Sequence, residues 1–207
     1  MAEELGRIEK PEAEKYREGR KLFFVPLVYS GEELPADYLI IYNRYWEQVG
    51  RQIGELEGKL GAAQRIYHEL VPAAGEDGCR VVKDLNERAY QVVQTCLGNG
   101  AVLEALEDAE VLAEFMDWSR CLMLGLQNPD VIKKVYDAFT EASRKRDERL
   151  IARIDGSLKA NEIGILLMRE KHQVQFPADI QVFYVAPPAL DEMKRWLRQQ
   201  EKPEKSE

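Results

Sequence analysis

The residues best suited to chemistry in this chain are its two histidines, a glutamate that closes an apolar run, and a ladder of arginines. His68-Glu69 ends one apolar segment, and Glu170-Lys171-His172 follows another. An imidazole beside a carboxylate suits general acid–base work or metal ligation, because one group titrates near neutrality and the other carries negative charge. Arg146, Arg149 and Arg153 recur three and four residues apart, so they share a helix face that could meet an anionic ligand or strand-end carboxylates. Such a run is more often a solvated surface laced with i,i+4 pairs, and Glu141 and Lys145 supply one. The expected site has His172, Glu69 and Arg149 as reactive groups, and His68, Arg146 and Arg153 as ligand-binding groups. Whether a metal binds is left open, since two histidines without His-Glu-x-x-His or Cys-x-x-Cys spacing define no ligand set. No cofactor is expected: Gly-x-Gly-x-x-Gly, the P-loop, the Gly-x-Ser-x-Gly elbow and the EF-hand loop are all missing from the sequence.

These side chains need elements to position them. Leu22 to Val28 is a nearly continuous apolar run, the pattern of a strand buried on both faces, although Pro26 argues for an edge or a bulge. From Ala36 the apolar residues Leu39, Tyr42, Trp46, Val49, Ile53, Leu56 and Leu60 alternate at three and four, predicting a helix to Leu60 that buries one seam. Gly50, Gly54 and Gly58 form a row along another face, where a second backbone could come close. Arg65 to Leu70 predicts a second strand, Pro72 to Gly78 a loop, and Val82 to Cys96 one helix stopped by Gly98-Asn99-Gly100. Ala101 to Ala105 is either a short strand or a turn. Helices follow from about Asp108 to Leu126 and from Asn128-Pro129 onward, then strands at Ile165 to Met168 and Val182 to Val185, and a last helix from Ala189 to about Gln199.

Strands alternating with helices require crossover connections, so the expected fold is α/β, a small and mostly parallel sheet of about four strands flanked by helices. The last two strands pair antiparallel or stand apart. The domain plan is a polar lead-in over 1–20, a single α/β domain over 21–199 and a charged tail over 200–207. In parallel sheets ligands bind beyond the carboxyl ends of the strands, which is where both histidines fall.

Composition narrows the partners. A net charge of −8, with the one basic cluster interleaved by acids, disfavours nucleic acid. No apolar run is long enough to span a bilayer, and the acidic N-terminus lacks the pattern of a signal peptide. Three widely spaced cysteines suggest reduced, buried thiols and a cytoplasmic protein. A small-molecule ligand and a homodimer remain as the expected partners.

The stretch Arg146-Asp147-Glu148-Arg149, Ile151, Ile154, Gly164-Ile165-Leu166-Leu167 and His172 resembles the TraB/GumN group and its ChaN-like relatives, mainly over residues 140–180. Ile66-Tyr67-His68-Glu69 also resembles that group's strand ending in glutamate. The resemblance implies an α/β fold and, in some members, metal-dependent hydrolysis. Two features depart from it: Val28-Tyr29-Ser30-Gly31 stands where the group carries Gly-x-x-His, and Lys171 replaces the glycine before the late histidine. The functional expectation is therefore a non-catalytic ligand-binding or regulatory domain, with a strand-end hydrolase as the alternative.

Overall fold

The computed structural model describes residues 18–29 and 35–200. Most of the polar lead-in and the tail beyond residue 200 lie outside the described residues. Five strands form one sheet in the order β3-β2-β4-β1-β5. They are β1 (Arg20–Pro26), β2 (Arg65–His68), β3 (Val102–Leu103), β4 (Ile163–Met168) and β5 (Ile180–Tyr184). Every pairing is parallel. The strand count exceeds the expected four because Val102–Leu103, two residues long, carries too little pattern to declare itself. The last two strands do not pair with each other: both lie along β1.

Pro26 indicated an edge, but β1 is central. The proline is the strand's last residue, and the ladder continues past it through Leu27 N–H donating to Met168 O at 2.8 Å. The missing donor therefore falls where β1 ends, and the Pro26 carbonyl accepts from the buried Tyr45 hydroxyl.

Helices cover both faces of the sheet. Phe23 and Val25 of β1, Ile66 of β2 and Ile163, Ile165 and Leu167 of β4 pack in one cluster with α1 (Ala36–Leu60), α3 (Glu87–Gly98) and α6 (Pro188–Gln200). Leu22, Phe24, Tyr67, Leu166 and Met168 point the other way, onto Leu150, Ile154 and Leu158 at the end of α5 (Pro129–Ser157). The alternation along each strand is the period of two that a sheet covered on both faces requires. Gly164 is fixed by close approach: a Cβ there would lie 2.9 Å from the Tyr67 ring and 3.0 Å from Leu22.

The seam of α1 buries Tyr42, Trp46, Val49 and Ile53, together with Tyr38 and Tyr45. Leu39 departs from the expectation and is exposed, because in the first turn it is the neighbouring Tyr38 that turns into the core. The expected single helix over Val82 to Cys96 is two, α2 (Gly75–Leu85) and α3, broken at Asn86. Asn86 is nearly fully buried and caps α3: its Oδ1 accepts from Ala89 N–H at 3.0 Å and from the Tyr42 hydroxyl at 2.7 Å. The region expected as a loop up to Gly78 already contains the first turn of α2.

The helix α4 (Ala109–Leu122) and the N-terminal half of α5 form an antiparallel hairpin. At 29 residues, α5 is about 43 Å long. Its C-terminal part lies on the sheet, whereas no residue between 123 and 141 is buried. Cys96 is buried and Cys79 and Cys121 are half-buried, all three free. Among the described residues no helix is long and apolar enough to cross a membrane.

Candidate site at the carboxyl ends of the strands

Strand β2 ends at His68, and the chain turns through Leu70, whose φ of 66° is left-handed. A leucine there is strained, and the turn is held from outside. Leu70 N–H donates to Glu107 Oε1 at 3.0 Å, and Glu107 N–H donates to Val71 O at 3.2 Å. Glu69 and Glu107 thus sit together with almost no exposure. Buried carboxylates need partners, and α5 supplies one. Arg146 donates from Nε to both Glu107 oxygens at 3.1 Å and from a terminal nitrogen to Oε1, and it stands 4.0 Å from Glu69 Oε2. Phe115 of α4 covers the guanidinium at 4.7 Å.

A second cation reaches Glu69 from the other side. Arg169, the first residue after β4, places Nε 3.0 Å from Glu69 Oε1 while about half of its side chain stays exposed. Burial raises the Glu69 pKa above the ordinary carboxylate range, against the downward pull of Arg169 and Arg146. Arg146 is opposed by its own burial, but Glu107 outweighs this and lifts its pKa. Tyr29, just past β1, has its hydroxyl pKa raised by burial and then by the Glu69 charge.

His68 is fully buried. Its Nδ1 lies 2.6 Å from the Glu69 carbonyl, which makes Nδ1 the donor and leaves Nε2 as a buried acceptor without a hydrogen-bond partner. Burial pushes its pKa down to about 4. The His172 ring packs against Phe24 and Phe176, with centroids 5.0 and 5.9 Å away. Burial lowers its pKa, and the charge it faces is Asp147. None of Glu69, Arg146, Arg149 and Arg153 is within hydrogen-bond or ion-pair distance of His172.

Of the six residues singled out in the sequence, the structure brings His68, Glu69 and Arg146 together. His172 lies against β1 beside Asp147, while Arg149 and Arg153 are exposed on α5 and enter no ion pair among the described residues. The shared arginine face does not form, because Arg146 turns inward to the two glutamates. Nor does Glu141 pair with Lys145: Arg144 takes Glu141, and Lys145 reaches Glu114 of α4 at 2.7 Å. Sequence reasoning missed Glu107 and gave no role to Arg169 or Tyr29, which open the segments that follow two of the expected strands. Glu107 and Arg169 had a readable signal, since each is a charged residue closing an apolar run, as Glu69 does.

Beside this network a cavity of about 260 Å³ opens over the end of β1. Leu27, Val28, Tyr38 and Met193 give it apolar walls; Arg169 and Lys171 bring positive charge to it, while Lys194 is paired at 2.6 Å with Glu170, which lines it too. Among the described residues no three His, Cys, Asp or Glu side chains gather as a metal-ligand set. The two buried carboxylates already face guanidinium groups, so this donor set does not fit a divalent cation.

Compared with known protein families, with curated proteins and with solved structures, the chain gives no match in any of the three.

Proposed function

We propose that this chain is a non-catalytic binding module that takes a small anionic molecule at the carboxyl end of its sheet. The observation that carries this reading is the position of Arg169. Its Nε meets the buried Glu69, its side chain is half exposed, and it lines the cavity that Lys171 also lines. A carboxylate or phosphate entering there would exchange solvent for a guanidinium whose counter-charge is already buried, with apolar walls for the rest of the ligand. Three free thiols favour a reducing, cytoplasmic setting.

Calorimetric titration with a panel of small carboxylates and phosphate monoesters tests the proposal. At least one should bind, and Arg169→Ala should weaken it tenfold or more, at about 1.4 kcal/mol per factor of ten. If no anion binds, or if the variant binds equally well, the reading falls.

The second reading is a hydrolase that works through the strand-end glutamate and histidine themselves, without the metal that the TraB/GumN resemblance implies for some members. It draws on Glu69, whose burial favours the protonated acid, beside a His68 Nε2 free to accept a proton. Turnover of a carboxyl ester or phosphate ester that Glu69→Gln abolishes would establish it, and absence of turnover across such a panel would remove it.

A further inference from the structure

The surface feature left without a role is the tip of the α4–α5 hairpin. Of the twelve large hydrophobic residues exposed among the described residues, six lie within 122–136: Leu122, Met123, Leu124, Val131, Ile132 and Tyr136. Met123 and Leu124 are more than 70% exposed. Scattered exposed apolar residues are ordinary, but six within fifteen residues at the end of a projecting helix pair mark a contact surface.

We infer that this tip is a homodimer interface, in which the hairpins of two copies pack as a four-helix arrangement. Two observations select a second copy as the occupant. First, the patch suits a twofold axis. Ile132 and Tyr136 lie one turn apart on α5, so an axis between them sets Ile132 of each copy against Tyr136 of the other. Second, the local charge permits self-association. The chain carries −8 overall, yet the tip carries Asp130 and Asp137 against Lys133 and Lys134, a net of zero. Two copies meeting here avoid the repulsion they would feel elsewhere, whereas an anionic membrane or an acidic partner would call for a basic collar, which the tip lacks. Hairpins that meet in this way bury their apolar tips without disturbing either α/β body.

Sedimentation velocity of the full chain from low to high micromolar concentration should show a rise to twice the monomer mass. Ile132→Asp and Tyr136→Asp should each shift the midpoint of that rise at least tenfold upward, and Ile40→Asp on the exposed face of α1 should not. A thiol pairing test is independent of how the charged variants fold: Ile132→Cys mixed with Tyr136→Cys should give disulfide-linked dimers in larger yield than either variant alone. A chain that stays monomeric throughout overturns the inference. So does a dimer indifferent to both Asp variants, or flotation of the wild-type monomer with neutral or anionic vesicles.

Discussion

Arg146 joins three things: the hairpin through Phe115, the strained turn after β2 through Glu107, and the strand-end carboxylate Glu69. Removing one partner of a buried ion pair leaves an uncompensated charge, so Arg146→Ala should destabilise the protein by roughly 3 to 5 kcal/mol in urea unfolding. A loss below about 1 kcal/mol, the worth of an exposed pair, would show that water reaches the network. His68 gives the site a pH signature. Its folded-state pKa, about 4, lies below its unfolded value near 6.5. On acidification the unfolded chain therefore takes the proton first: stability is whole above pH 6.5 and is lost as pH falls toward about 4. The full span amounts to about 3 kcal/mol. Glu69 and Asp147, both raised by burial, lose stability in the other direction as pH rises through their elevated values. The test is therefore a difference: His68→Asn should flatten the acid limb relative to wild type, and identical pH profiles would contradict the buried, neutral imidazole. Much of this network was legible in the sequence, because a charged residue directly after an apolar run must face whatever lies beyond the strand end. What was not legible was which arginine turns inward. Arg146, Arg149 and Arg153 have the same type and spacing, and only the meeting with Glu107, from a distant part of the chain, separates them.

At the scale of elements, α1 was read almost whole, because a seam at helical spacing has one physical solution when the helix lies on a sheet. Trp46, 3% exposed, sits mid-seam beside Tyr42 and Tyr45. Trp46→Ala should cost roughly 3 to 5 kcal/mol in chemical denaturation, and a change near zero would move the seam out of the core. The break between α2 and α3 escaped the sequence reading because apolar spacing runs straight across it. Its cause is a polar residue whose value depends on tertiary partners. Asn86 caps α3, accepts from Tyr42 and donates from Nδ2 to the Val28 carbonyl at 2.8 Å, tying α1, α3 and the end of β1 together. Asn86→Ala should therefore cost roughly 2 to 4 kcal/mol, a lost cap plus buried groups left unpaired, against about 1 kcal/mol for Tyr42→Phe. Equal losses in the two variants would mean that the cap contributes little. β3 shows the opposite limit: two residues are enough to add a strand beside β2, but too few to show a period.

For the whole molecule, burial falls from the sheet outward along the hairpin. Amide exchange at low protein concentration should follow, slowest in β1 and β4 and fastest in the part of α5 before Ala142, where no side chain is buried. Uniform protection along α5 would contradict a freely projecting hairpin. The strand order carries a different consequence. Both neighbours of β1 in the sheet, β4 and β5, come from the last quarter of the chain, although β1 begins at Arg20. A nascent chain emerging from the ribosome therefore holds the apolar strand β1 with both hydrogen-bonding edges open until Met168 has been made, and before then β2 and β3 are, among the described strands, the one pair that can form. Such sequence-distant pairing slows folding and exposes aggregation-prone edges. A chain halted before Ile163 should need a chaperone to remain in solution, and release of that chaperone should become possible only once β4 has been synthesised.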